Sequence, residues 1–367
     1  MWGDVERRFV RRLAVWIVLA YACSCAVRLL LMLDWNKGVY NHNPGTCRKL
    51  KDSVLGAGYF ADVLDAQLTF ISSGYAKLSN ESHKGKIYVY SYLEINLSTY
   101  GPREVTMDKS FDSKNFAPLG ISAFFSKGRV TLYVVNDNAG NQTVEIFLYN
   151  REQNILQHRK TISSPLFTCL SGIAVVGADR FFLTNVFSTR NHWGQLAEIG
   201  VQTSFGSMLF FDGKAIHVVE KGLMTPNGLA YDAEKGILYL SLTLAESVRV
   251  YNVGKDLSLN KTTEIYLMSS PDQIFIDSSS GDLWVACHPV MHKLLRHYMR
   301  PQKKAPSQVV RIRMLDGGMT WVVTEPYAND GFGISAASAV LMKNGTLLIG
   351  SRLSRAVQCR IDQLDSV

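Results

Sequence analysis

Short β-prone runs recur in pairs along almost the whole chain, and no other feature restricts the possible folds as much. One series reads LTFISSG from residue 68, TLYVVND from 131, RFFLTNV from 180, GILYLSL from 236, DLWVACH from 282 and TLLIGSR from 346. Each member is followed by a partner: KIYVYSY from 86, VEIFLYN from 144, SMLFFDG from 207, SVRVYNV from 247, QVVRIRM from 308 and AVQCRI from 356. The first run of each pair is apolar nearly throughout, as a strand covered on both faces must be, and the second alternates more. The pairs return at intervals of roughly 45 to 65 residues, the spacing of four-stranded propeller blades. A β-sandwich also contains paired strands with turn signals between them. Sixfold recurrence with a cysteine near each end of the array, Cys47 and Cys359, favours a closed ring. The expected fold is therefore all-β, a six-bladed β-propeller. A bridge between those two cysteines would join its ends, restricting the unfolded chain by about 4 to 5 kcal/mol.

The N-terminus is of a different kind. ERRFVRR leads into an apolar run over residues 13–33, interrupted only by Arg28, and about twenty such residues cross a bilayer. Arg7, Arg8, Arg11 and Arg12 precede the run, whereas Asp34 and Lys37 follow closely. The positive-inside rule then puts the short N-terminus in the cytosol and the rest of the chain in the lumen or outside the cell. A cleaved signal peptide is the rival reading, with small residues Ala22 and Ser24 at the cleavage point. The apolar run continues past that point, which favours an uncleaved anchor. The expected organisation is a cytosolic stretch 1–12, an anchor 13–33, a linker 34–46, a propeller 47–361 and a tail 362–367.

With 367 residues, 47% of them apolar, the chain can bury a full core. Its formal charge of +8 is modest for this length and partly confined to the first twelve residues, so a dense basic face for nucleic acid is not expected. Asn80, Asn96, Asn141, Asn260 and Asn344 each head a glycosylation sequon, which agrees with translocation. Cys23 and Cys25 lie in the apolar run, where palmitoylation or packing is expected rather than a bridge, and Cys169 and Cys287 read as buried free thiols.

In a propeller, polar residues entering the innermost strands converge at one mouth of the central channel. Three segments qualify: TCLSGIAVVG from 168, TPNGLA from 225 and SPDQIFID from 270. Asn and Asp there are hard oxygen donors of the kind calcium takes, but Pro-Asn-Gly and Pro-Asp-Gln also form ordinary turns.

These segments carry a family resemblance. LTFISSG, FAPLGISAF, YVVND, TVEIFLYN, NGLAYD, DSSSGDLWVACHP and LLIGS, in this order and spacing from about Cys47 to Ile361, resemble the paraoxonase/arylesterase family of calcium-dependent lactonases. The resemblance implies a six-bladed propeller with two calcium ions in the channel, a retained hydrophobic N-terminal segment and a disulfide between the ends. The functional positions diverge. Where the family holds its catalytic calcium with a Glu, three Asn and an Asp, this chain has Tyr59, Ser171, Asn227, Asp272 and Gln273; where two Asp serve the structural calcium, it has Phe60 and Gly172. Two family histidines are replaced by Leu119 and Asp137, and only His288 matches. An alignment shifted onto Asp62 or Asp65 would restore part of the set.

One carboxylate, one Asn and one Gln compensate calcium poorly, and a lactonase needs both a metal to polarise the carbonyl and a base to activate water. The expected protein therefore has no catalytic residues and no cofactor, with Asn227, Asp272 and Gln273 as remnants of a calcium site and His288 as a pocket residue. Among paraoxonase-like proteins, an anchored form with degraded ligands is most similar to accessory proteins of degenerin-type sodium channels. Such a protein would act as accessory subunit or chaperone in the folding, assembly or surface delivery of a membrane-protein client, in the endoplasmic reticulum, the plasma membrane or both. Two alternatives stand beside it: a calcium-dependent lactonase or arylesterase with a relocated metal, and a propeller that binds a hydrophobic ligand. Residues 291–304, MHKLLRHYMRPQKK, read either as a solvated loop or as a basic, apolar patch for anionic lipid or a partner protein.

Overall fold

In a computed structural model, which describes residues 2–50, 54–74, 85–91, 101–138, 141–315 and 320–361, each of the six paired runs forms the second and third strands of an antiparallel sheet. Blade 1 comprises Ala57–Val63, Leu68–Ser73, Lys86–Ser91 and Arg103–Glu104. Blade 2 comprises Pro118–Ser126, Arg129–Asn138, Asn141–Asn150 and Ile155–Ile162, with the short strand Thr106–Met107 added in parallel at its outer edge. Blades 3 to 5 begin at Leu170–Gly177, Pro226–Asp232 and Ser270–Ile276. Blade 6 takes Ala337–Lys343, Thr346–Ser351 and Val357–Arg360 from the end of the chain and its outermost strand, Cys47–Lys49, from the beginning. Cys47 faces Cys359 across this pair and the two are disulfide-bonded, so ladder and covalent bond close the ring together.

The second strands sit between neighbours on both faces; Leu68–Ser73 and Leu283–His288 are buried at every position. Phe70, Leu132 and Phe147 fill the space between blades 1 and 2, and Trp284, Tyr327 and Leu347 that between blades 5 and 6. Each such side chain contributes about 1.5 to 3 kcal/mol by leaving water. The outermost strands are largely exposed, as in Ile216–Leu223 and Leu259–Tyr266, so their sequences carry little hydrophobic periodicity.

The innermost strands share one distortion. The ladder between first and second strands slips at Ala57/Tyr59, Pro118/Ile121, Leu170/Ile173, Pro226/Leu229, Pro271/Ile274 and Ala337/Ala339. Such bulges re-aim side chains, and here they turn those at the start of each inner strand toward the channel. Three glycines at the bulges let adjacent inner strands approach: a Cβ on Gly120, Gly172 or Gly228 would lie 2.1, 2.1 or 2.3 Å from the carbonyl oxygen of Ser171, Asn227 or Asp272 in the next blade. Hydroxyls staple the same junctions. Ser72, Thr184 and Ser241, on second strands, donate to the carbonyls of Leu119, Asn227 and Asp272 at 2.6, 2.7 and 2.6 Å.

Three helices lie outside the sheets. Helix α1, Trp2–Met32, is long and apolar enough to cross a membrane, and its side chains from Glu6 onward are mostly exposed. Helices α2, His192–Gly200, and α3, Met291–Met299, follow the second strands of blades 3 and 5. Sequence reading found no helices beyond the apolar run; residues 291–304 begin as a helix rather than a loop, with Met291, Leu294 and His297 buried while Arg296, Tyr298, Met299, Arg300, Lys303 and Lys304 are exposed. A nine-residue helix in a connection gives too few turns for its periodicity to stand out. Residues 34–46, expected as a linker, are pinned to the domain. Leu33 O accepts from His292 N at 2.9 Å, Lys37 Nζ donates to Glu246 and to the Met268 carbonyl, and His42 forms a bridge with Ala328. The sequon residues Asn141, Asn260 and Asn344 are exposed; Asn80, Asn96 and the tail 362–367 lie outside the described residues.

Candidate functional site

The bulged inner strands bring Tyr59, Ser171, Asn227 and Asp272 together at the channel mouth, all buried, and leave the equally buried Gln273 outside the cluster. They do not surround an open space. Arg352, the residue after the second strand of blade 6, sends its guanidinium among them: Nη2 lies 2.5 Å from Tyr59 Oη, 3.1 Å from Ser171 Oγ, 3.3 Å from Asp272 Oδ1 and 3.5 Å from Asn227 Oδ1. The same guanidinium stacks on the Tyr59 ring at 4.9 Å. Tyr59 Oη in turn donates to Asn227 Oδ1 at 2.9 Å and lies 2.6 Å from Ser171 Oγ. Burial pushes the Tyr59 phenol well above its ordinary range, with Arg352 opposing that shift, so the ring stays protonated and able to donate.

Gln273 is occupied elsewhere. Its side-chain amide donates to Phe60 O at 2.6 Å and accepts from Phe60 N at 3.1 Å, joining blade 5 to blade 1. Phe60 packs against Ile71, Leu341 and Leu348 and offers no donor atom. Asp62 faces away from the channel, accepting from Thr69 at 3.0 Å and pairing with Lys343 at 3.1 Å, while Asp65 is exposed in the turn after the strand. The register of blade 1, with Tyr59 opposite Ser72 and Phe60 opposite Ile71, thus removes the shifted alignment. Leu119 is buried at the cavity wall, and Asp137 is held at the rim by Gln142 at 2.8 Å and Arg190 at 3.4 Å.

His288 closes the set. Its Nε2 lies 3.2 Å from Asp272 Oδ2, so Asp272 bridges Arg352 and His288 with its two oxygens. Sequence reading saw no carboxylate beside His288 because the partner lies on the preceding strand of the blade. His288 Nδ1 is buried and, among the described residues, has no hydrogen-bond partner. Arg352 itself was missed: no motif marks it, and only closure of blade 6 against blade 1 carries it to the centre.

Above this polar floor opens a cavity of about 670 Å³. Leu196 and Ile199 of α2, Leu294 and Met299 of α3, and Val186 and Phe187 form apolar walls. Cys169, expected to be buried, is largely so but lines the cavity; desolvation and the nearby Asp137 push its thiol up to about 11. Cys287 is buried, as expected.

The donors present do not fit calcium. The ion wants six to eight oxygens at 2.3–2.6 Å with several negative charges among them. Here one carboxylate oxygen, one amide oxygen, a hydroxyl and a protonated phenol converge on a point already taken by a positive charge. Among the described residues, no three His, Cys, Asp or Glu gather closely enough to hold a metal ion. The arrangement can orient an imidazole and present it to an apolar cavity, but the floor's own cation has Nη2 committed to four oxygens rather than aimed at a substrate carbonyl.

Comparison with known proteins places these features in context. The family profile described as arylesterase matches residues 38–361. Mechanosensory abnormality protein 6 of Caenorhabditis elegans is 37% identical over 361 residues, which cover 96% of this chain and 96% of that protein. Serum paraoxonase/lactonase 3 of Oryctolagus cuniculus is 31% identical over 303 residues, covering 81% and 84% of the two chains. Among solved structures, the calcium-binding protein regucalcin from Agrobacterium tumefaciens is similar with a TM-score of 0.52 at 11% identity, over 88% of this chain and 96% of that one. That last likeness is one of fold alone.

Proposed function

The chain belongs to the arylesterase family, and from that premise we propose that it is a paraoxonase-like protein that no longer hydrolyses esters and works instead by binding. The observation that carries this reading is the Arg352 guanidinium set among Tyr59, Ser171, Asn227 and Asp272, at the positions from which relatives are expected to hold a catalytic metal. With that point occupied by a side chain, electrophilic activation of a carbonyl by a metal has no place to act.

The proposed role is that of an accessory subunit or chaperone for a membrane protein, such as a degenerin-type sodium channel. Two things support it: the full-length similarity to a protein named for abnormal mechanosensation, and the apolar helix α1, a candidate anchor or signal sequence. Retained as an anchor with its N-terminus in the cytosol, α1 would keep the glycosylated propeller in the lumen or outside the cell, at high effective concentration beside a membrane-embedded client. A second reading, capture of a hydrophobic ligand, rests on the cavity with its apolar walls.

The test has two arms. Purified full-length protein in detergent is assayed against lactones and aryl esters with calcium and with chelator; rates equal to those of heat-denatured protein are expected, and chelator-sensitive turnover would overturn the reading. In parallel, a degenerin-type channel subunit is expressed with and without the protein. A higher surface level and current with it are expected, and no difference would remove the client from the proposal.

A further inference from the structure

Arg352 is supplied by the blade that closes the ring, and the oxygens it meets come from four others. Tyr59 belongs to blade 1, Ser171 to blade 3, Asn227 to blade 4 and Asp272 to blade 5. One nitrogen cannot donate to four acceptors, since a guanidinium NH2 has two protons. Four oxygens within 3.5 Å of it therefore describe a charge held in a polar cage as much as a set of hydrogen bonds. Among the described residues the charges balance within the cage, because Asp272 is the one carboxylate there and lies at 3.3 Å.

The surroundings are built for this side chain. A Cβ on Gly58 would meet Arg352 Cγ at 3.0 Å, so the glycine leaves room for the aliphatic stem. The Tyr59 ring supplies a face for the guanidinium at 4.9 Å. Ser338 of the neighbouring inner strand accepts the Arg352 backbone N–H at 3.2 Å, fixing where the side chain starts. Only 16% of the side chain is exposed, and a cation buried to that degree must be compensated where it lies.

We infer that the Arg352 guanidinium is the resident cation of the channel: it ties blades 1, 3, 4 and 5 to blade 6 from within and makes the propeller's stability independent of a divalent metal. A dication placed among the same four oxygens would meet a positive charge there, and the two are mutually exclusive. This holds whatever the surface binds, so it stands or falls separately from the accessory role.

Full-length protein in detergent micelles provides the test, read by thermal melting. For the native chain, millimolar calcium and millimolar chelator are expected to give the same melting temperature; an increase with calcium that chelator reverses would overturn the inference. Arg352→Ala is expected to melt roughly 5–10 °C lower, because Asp272 is left without its cation. Millimolar methylguanidinium should then restore part of the loss relative to sodium at equal ionic strength, and should do nothing for Arg352→Ala/Asp272→Asn. A single variant that melts like the native chain, or that methylguanidinium does not stabilise, would also overturn it. Should Arg352→Ala fail to accumulate, Arg352→Lys, which keeps the charge, is expected to melt between the two, and the calcium comparison on the native chain still decides.

Discussion

Asp34 and Met291 are 257 residues apart, yet Asp34 Oδ2 accepts the backbone N–H of Met291 at 2.9 Å, so a residue just beyond the apolar helix caps the helix that walls the cavity. The N-cap residue of α3, Val290, has no side-chain acceptor of its own, and a carboxylate at a helix N-terminus satisfies an orphan donor and favours the dipole. Asp34 is fully buried and its other oxygen pairs with Lys37 Nζ at 2.6 Å.

Neutralising that carboxylate should loosen α3. Asp34 has a φ of 56°, a conformation that Asn tolerates, so Asp34→Asn isolates the charge from the backbone. A loss of about 1 to 2 kcal/mol is expected, with hydrogen exchange speeding up in α3 before the blades. Exchange that changes equally everywhere would assign the effect to the whole domain instead.

Breaking the Cys47–Cys359 bridge should cost more. The bond spans 312 residues, and in the chain-entropy model a loop of that length contributes about 6 kcal/mol. Cys47→Ser is expected to melt lower by a margin that reducing agent produces in the native chain but not in the variant.

The inner-strand glycines give a graded comparison. Gly172→Ala puts a methyl carbon 2.1 Å from the Asn227 carbonyl oxygen, and backbone cannot give way there without moving blade 4. A loss of roughly 3 kcal/mol or more is expected. Gly200→Ala, at the end of α2, meets nothing within 4 Å and should be neutral or slightly stabilising, by at most about 1 kcal/mol. Equal melts for the two variants would show that the inner ring is more compliant than its packing indicates.

Acid should weaken the region around α3. His297 is buried, with Nδ1 2.8 Å from the Lys303 carbonyl. Burial pushes its imidazole below the ordinary value of 6.5, partly opposed by that carbonyl and reinforced by Lys304. The unfolded chain then binds a proton more readily than the folded one. Its contribution is present above pH 6.5 and is lost as pH falls through the lower folded value. His297→Gln should flatten the fall in melting temperature below pH 6.5 relative to the native chain.

How much of this was legible in the sequence depends on which strand carried it. The second strands are covered on both faces, so LTFISSG or DLWVACH announces itself by composition. The innermost strands carry the site, but their bulges break the period of two, and a segment such as TPNGLA reads equally well as a turn. The disulfide was legible because only ring closure gives two cysteines at the ends a common purpose. Tyr59 and Phe60 could be assigned to metal positions by resemblance, whereas Arg352 could not, because its place follows from how blade 6 meets blade 1. Ser72, Thr184 and Ser241 were a signal overlooked: each puts a hydroxyl near the end of an otherwise apolar run, and each bonds the next blade.

Because Cys47–Lys49 waits to pair with Val357–Arg360, the order in which the ribosome delivers the chain matters. Cys47–Lys49 emerges soon after the apolar helix, and Cys359 of its partner strand follows 312 residues after Cys47. Until Val357–Arg360 is made the blades form an open arc, and the cage lacks its cation until Arg352 appears. The nascent protein is therefore exposed to aggregation for longer than a domain assembled from local hairpins, and a chain cut before Val357 is left as an arc rather than a ring.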